Sequence, residues 1–491
     1  MKKLVYINIL VLIVYSFNSC SENFLDVVPE TSLSSESFFN TEDHFISALN
    51  ATYVPLRNIY KGGNFWLLAE QRSDNTSYEN LDGSGTGKFE IDEFRVMELN
   101  SFPPIFFNMA YNGIGRANLL LHNLETTELL EADSKNVIEG QALFLRSLYY
   151  FHLVRIFGDV PLVLEPVETT DQAFVSAERV QVSEVYELIV NDFSEAASKL
   201  PLSYSGNNIG RATKGAALTL LAEVQLTLKN YDSAVEALQN ITGYDLLPSY
   251  AELWDASNKN SVESIFEVQY SVGLGSEEFA SNFMYSFVPQ HAGAGEEIIG
   301  FPAGNGSDSG HNTPTQDMID SYEPNDLRKE ISIGFWTNPL TGIDIPYVQK
   351  FNNPGPFRFW MNDNMPIYRY SDVLLMLSEA LNELGYVADG EAFSLLNQVR
   401  NRAGLSNLTS VELVDQNSFR EAVAHERRVE LAFENHRWFD LLRTDKANEI
   451  MIAHGEAEMA LKTYIPSNSF QNISLLYPYP NRETLLTESN N

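Results

Sequence analysis

Between Lys135 and Ile156 apolar side chains fall at Val137, Ile138, Ala142, Leu145, Leu148 and Tyr149, with His152 in the same series. Steps of three and four residues put them on one face of a helix. Gly158-Asp159-Val160-Pro161 then stops that helix. Ser183 is placed to cap the next one, which runs to Leu200 before Pro201 ends it. Helical patterns of this kind form two blocks, from about Thr41 to Ile241 and from about Tyr370 to Asp445. Between them, residues 273–366 are rich in Gly, Pro, Asn, Asp and aromatics and keep no period. A stretch that long without a period inside a folded protein usually carries function, and a few short strands within ordered loops are expected.

The two blocks share a spacing. Leu218-x-x-Leu221-Ala222 is followed by Ala234-x-x-x-Leu238, and Met376-x-x-x-Ala380 by Ala392-x-x-x-Leu396. In both, small residues let paired helices approach closely, as in a tetratricopeptide hairpin.

The amino terminus follows another pattern: Lys2-Lys3, an apolar run from Leu4 to Tyr15 broken only by Asn8, then Ser19 and Cys20. It reads as a lipoprotein signal peptide, with the Cys20 thiol receiving lipid. The run falls short of the roughly 20 apolar residues that span a bilayer. Cys20 is the chain's single cysteine, so no internal disulfide is available to the exported protein.

Charge narrows the partners. Asp and Glu number 66 against 32 Lys and Arg, a net charge of -34. Such a surface opposes phosphate backbones, and nucleic acid is not an expected partner. The 30 Phe and 23 Tyr exceed what a helical core usually requires, so part of this set is available to stack on a ligand.

Catalytic motifs find little support. His425-Glu426-Arg427-Arg428-Val429 starts like a zinc-protease helix, but Val429 stands where the second histidine is needed. Glu426, Glu430 and Glu434 read better as one edge of an ion-pair network reaching Arg427, Arg437 or Arg443. Gly83 to Lys88 imitates a phosphate loop, but Phe89 replaces the metal-binding Ser or Thr, leaving a flexible turn. No Gly-x-Ser-x-Gly elbow occurs, and the histidines lack ligand spacing. Paired carboxylates are set by space and not by sequence, so a helical glycoside hydrolase stays open at this point.

Several segments carry a family resemblance. Phe24-Leu25-Asp26, Pro29 and Phe38-Phe39-Asn40-Thr41 lead to Ala48-Leu49-x-x-x-Tyr53. Ala142-x-Phe144-Leu145-Arg146-x-x-Tyr149-Tyr150-Phe151 is followed by Gly158-Asp159-Val160-Pro161-Leu162. Tyr368-Arg369-Tyr370-x-Asp372 precedes Asn397-x-Val399-Arg400-x-Arg402-Ala403-Gly404, and Glu426-Arg427-Arg428-x-Glu430 precedes Arg437-Trp438-Phe439-Asp440. In this order they resemble the SusD/RagB family of outer-membrane nutrient-binding lipoproteins. Asn435 departs from a common glycine, and Tyr477-Pro478-Tyr479-Pro480 lacks the usual Asn-Pro-Gly-Tyr tail.

The resemblance implies a mainly α fold, a tetratricopeptide-like α-α superhelix with an irregular loop-rich half containing short strands. It implies a signal peptide over 1–19, an amino-terminal helical region over 20–250, and a carboxy-terminal region over 251–491 that contains the binding segment 273–366. It further implies an acyl-anchored, surface-exposed outer-membrane protein that passes oligosaccharides or polysaccharides to a SusC-like TonB-dependent transporter, or, in the alternative, captures oligopeptides. No enzyme activity, catalytic residue, cofactor or metal is expected. Flat rings stack on the apolar faces of sugars while amides and carboxylates take the hydroxyls. The candidate ligand residues are therefore Trp66, Asp74, Asn75, Tyr78 and Phe94, with Tyr285, Phe287, Phe301, Trp336 and Trp360 from the middle segment.

Overall fold

The computed structural model describes residues 38–61, 65–79, 86–167, 169, 172, 177–303 and 309–480. The signal peptide, Cys20, Gly83 to Gly85 and the chain end beyond 480 lie outside the described residues. Contacts separate residues 1–47 from a second unit, residues 48–491, which holds the features that follow apart from the start of the first helix.

The long helices are α1 (Glu42–Tyr60), α2 (Phe102–Thr126), α3 (Ala132–Phe157), α4 (Val182–Lys199), α5 (Lys214–Thr227) and α6 (Tyr231–Gln239). Short α7 (Phe283–Phe287) and α8 (Ala294–Ile299) precede α9 (Tyr370–Leu384), α10 (Glu391–Arg402), α11 (Gln416–Glu430), α12 (Arg437–Arg443) and α13 (Ala447–Leu461). α3 is buried nearly all round because α2 and α4 pack on both its sides. Gly113 makes the α2 crossing possible, since a Cβ there would come within 2.3 Å of the Tyr149 ring. The Tyr149 hydroxyl enters α1, donating to Thr52 O at 2.7 Å and accepting from Leu56 N at 3.0 Å. Pro55 lies inside that turn and offers no N–H, and Arg116 donates instead to the orphaned Ala51 carbonyl at 2.7 Å.

α5 pairs with α6 and α9 with α10, and α6 packs against α9, so the two predicted hairpins stack as neighbours. Ala222, Ala234 and Ala380 are fully buried at these contacts. The cap of α4 differs from expectation. Gln181 precedes the helix, Ser183 lies inside it, and Asp159 accepts from Val182 N at 2.9 Å across the intervening loop.

Among the described residues eight short strands form four antiparallel pairs: β1 (Thr76–Ser77) with β5 (Thr313–Pro314), β2 (Val160–Pro161) with β3 (Arg179–Val180), β4 (Ser264–Val268) with β8 (Met365–Arg369), and β6 (Ile333–Thr337) with β7 (Asp344–Val348). The middle segment thus contains short helices as well as strands. α7 has 5 residues and α8 has 6, too few to leave a readable period.

Glu426, Glu430 and Glu434 do anchor a buried network, with partners other than those expected. Arg328 donates to Glu426 at 2.6 Å and to Glu430 at 3.1 Å while holding Asp326 with both ends of its fork. Arg369 reaches Glu263, Glu430 and Glu434 at 2.7–2.9 Å, Arg402 joins Glu263 to Glu430, and Lys350 pairs with Glu434 at 2.8 Å. Arg427 instead turns to Asp372 and Asp440, Arg443 to Glu379 and Asp440, and Arg437 to Asp74. The glutamates repeat every four residues and face β8 and α10, whereas Arg427 projects toward α9 and α12. Burial alone would raise the Glu430 carboxyl, but Arg402, Arg369 and Arg328 hold it well below the usual carboxylate range.

The chain end returns to the first half. Tyr477 N donates to Ile156 O at 2.8 Å, its hydroxyl donates to Leu68 O at 3.0 Å, and the Arg72 guanidinium lies 4.1 Å from its ring.

Candidate functional site

Residues 353–363 form a closed loop between β7 and β8. At its base Asn353 donates to Asp363 through its side chain at 2.6 Å and its backbone at 3.3 Å, and Asn362 N returns to Asn353 O at 3.0 Å. Ser281 and Met361 exchange backbone hydrogen bonds at 3.0 and 2.8 Å, tying the loop to the segment before α7. Burial raises the Asp363 carboxyl to about 7 against the pull of the Asn353 hydrogen bonds.

The clasped loop carries aromatics outward. Phe357 is 58% exposed, Phe359 is 36% exposed, and Trp360 is half-buried with its ring 4.9 Å from Phe357 in edge contact. Phe359 has φ +65°, a left-handed conformation that a bulky residue seldom adopts. Below it lies Tyr285 of α7 at 4.6 Å, and the exposed Arg358 guanidinium sits 4.5 Å above the ring.

α8 connects this loop to a second cluster. Ile298 O accepts from Asn352 at 3.2 Å on the loop side, while Glu297 accepts from Trp336 Nε1 at 2.7 Å on the side of the β6–β7 hairpin. The Trp336 ring lies 5.6 Å from His291, which faces Glu79 at 3.5 Å and Asn338 at 3.2 Å. Phe301 crosses the helix at Gly295, where a Cβ would meet Phe301 O at 2.7 Å and Ala303 N at 2.5 Å. One short helix therefore gathers rings, two carboxylates, an amide and an imidazole. Among the described residues no group of three or more His, Cys, Asp or Glu is arranged to hold a metal ion.

The ten residues singled out from sequence divide between this face and the interior. Tyr285, Phe301, Trp336 and Trp360 belong to it, the first and third showing only 6% and 5% of their surface. Phe287 lies behind, edge-on to Trp66 at 5.2 Å, with both rings in the core. Tyr78 is sandwiched on Phe89 at 3.9 Å and donates to Glu93, and Phe94 meets Trp438 and the Arg72 guanidinium. Asp74 is held by Arg437 at 2.8 Å and Arg428 at 3.0 Å, and Asn75 by Glu70 and Arg428 at 2.9 Å each. These six are sealed by neighbours and offer no open ring face, and Trp66 Nε1, without a hydrogen-bond partner among the described residues, is itself buried. Phe357, Phe359, Glu79, His291, Glu297 and Asn338 were absent from the sequence set. The signal for the first two is the run Phe357-Arg358-Phe359-Trp360 set between Pro354-Gly355-Pro356 and Asn362, an aromatic cluster inside turn chemistry.

Stacked helical hairpins with an irregular, strand-poor half define the class: a mainly α, tetratricopeptide-like superhelix. Residues 23–226 match the family model described as starch-binding associating with outer membrane, and residues 345–487 match the model of the SusD family. The chain belongs to the SusD/RagB family. A SusD-like protein of Formosa agariphila is 28% identical over 473 residues, 89% of this chain and 90% of the relative. One from Bacteroides ovatus is 26% identical over 476 residues, 87% and 80% of the respective chains. A solved structure called a laminarin-binding SusD-like protein has a TM-score of 0.75 at 27% identity, covering 92% of this chain and 98% of that one.

Proposed function

We propose that the protein is a cell-surface lipoprotein, acylated at Cys20, that captures oligosaccharides or polysaccharides and delivers them to a SusC-like TonB-dependent outer-membrane transporter. It binds without turnover. The observation that carries capture is the outward ridge of Phe357, Phe359 and Trp360 on a loop clasped at its base. Exposed rings held on a fixed backbone suit the apolar faces of sugars, and Glu79, His291 and Asn338, in the second cluster reached through α8, offer hydroxyl partners. The likeness to a laminarin-binding relative supports the same reading. Family membership, with a model described as associating with outer membrane, supports the location.

Calorimetry of the purified protein against a panel of glycans and peptides tests capture. Binding to at least one glycan, lost in Phe357→Ala/Phe359→Ala, is expected with the ligand recovered intact. Binding confined to peptides, or shortened saccharides in the product, overturns it. Cys20→Ala should leave the membrane fraction when the transporter is absent, because removing the acyl site leaves an acidic protein without an anchor.

A further inference from the structure

Charge on the aromatic face is one-sided. From Ser271 to Leu327 the chain has no Lys or Arg, yet it places Glu277, Glu278, Glu296 and Glu297 around α7 and α8. Glu296 and Glu297 are exposed, as is Asp344 at the end of the hairpin. Among the described residues none of these three pairs with a cation; Glu297 accepts from Trp336 and Asp344 from Thr337. Glu278 is answered by Arg57 at 3.0 Å, and Lys61 donates to Glu277 O beside it, so that corner is close to balanced. Near the rings the exposed base is Arg358, stacked on Phe359, while Lys350 is buried against Glu434.

We propose that this face takes uncharged glycans and rejects polyanionic ones, uronates and sulfated sugars alike. This rests on the capture reading above. An anionic sugar stacking on Phe357 meets Arg358, with the half-buried Lys259 spent on Asn362 at the loop base, and on the side of α8 and the hairpin it meets the negative charge of Glu79, Glu296, Glu297 and Asp344. Neutral hydroxyls can donate to those same carboxylates, so the groups that repel one class hold the other. The exposed charges act through water and are screened over about 10 Å at 0.1 M salt, which gives the inference its own signature.

The experiment takes each neutral glucan, xylan or galactan that binds the full-length protein and compares it with its carboxymethylated derivative. At 20 mM salt the derivative should bind at least about tenfold more weakly, and at 0.5 M salt the gap should shrink to about threefold. Glu296→Lys/Asp344→Lys should raise affinity for the derivative several-fold at low salt while weakening the neutral glycan, which loses two carboxylate acceptors. A uronate or sulfated polymer bound as tightly as the neutral one at low salt overturns the inference and leaves capture standing. A gap that ignores salt marks steric exclusion and also overturns it. Binding of no glycan of either kind overturns capture itself.

Discussion

Arg369, Glu430 and Glu434 are sealed inside the molecule with their charges answered, while Phe357, a short distance earlier in the chain, stands in water with ring surface uncovered and Phe359 keeps part of its ring exposed between Tyr285 and the Arg358 guanidinium. Both groups are costly where they are. Buried ions need partners, and exposed rings give up the burial that would stabilise them. In the first region the cost is met within the chain, by interlocking forks that fix β8 against α10 and α11. In the second it is met only when something else covers the rings. A region whose interactions are complete is scaffold; one left incomplete on a rigid support is suited to a ligand.

The contrast breaks most visibly at Glu430. Glu430→Ala leaves Arg369, Arg402 and Arg328 short of an anion in a buried site, and a loss of about 3–5 kcal/mol in urea unfolding is expected. Glycan affinity of the folded fraction should stay within about twofold, and a large affinity loss at intact stability would erase the distinction between the regions. Ala380→Leu adds volume where α9 meets its neighbours and should cost about 1–3 kcal/mol, again without a binding effect. Phe357→Ala and Phe359→Ala should do the reverse, each weakening a bound glycan by on the order of 1 kcal/mol while the melting temperature stays nearly constant. If both lower the melting temperature and spare affinity, the ridge is core and the comparison fails.

The smallest effect is one of direction. Burial raises the Asp363 carboxyl from 3.8 to about 7, so the native loop holds that proton more tightly than the unfolded chain. Its contribution to stability is greatest at low pH and is lost as pH rises from about 4 to about 7. Glu430 and Glu434 are held below the usual range by their arginines, so their contribution is present at neutral pH and lost on acidification. Urea midpoints between pH 4 and 8 should therefore flatten at the neutral end in Asp363→Asn while keeping their acid limb. An unchanged neutral limb would place the cause elsewhere.

Much of the scaffold was legible because its signals are local and periodic. The Gly158 stop and the alanines of both hairpins depend on residues a turn or two apart, whereas α3 is buried nearly all round and not on the one face its spacing picks out. The cap of α4 was not, because Asp159 reaches it from the far side of a loop. The glutamate ladder was legible as a ladder, but its partners lie on β8, α10 and the segment around Arg328, which no helical spacing could name. The site fared worse for a similar reason. Phe287 shares its residue type with Phe357, and only the packing separates a ring edge-on to Trp66 in the core from a ring facing water. Phe287→Ala belongs with the stability variants for that reason.

The return of the chain end has a consequence for how the molecule is made. Asp74 waits for Arg437, separated from it by 363 residues, and Arg72 waits for Tyr477, later still. A chain emerging at about 5–20 residues per second needs on the order of 20 to 70 s to deliver that arginine. Throughout that interval the opening helices exist without the side chains that neutralise and cover them. A premature stop near the carboxy terminus would consequently injure the beginning of the protein: a stop between 437 and 477 leaves Arg72 without Tyr477, and an earlier one also leaves Asp74 without Arg437.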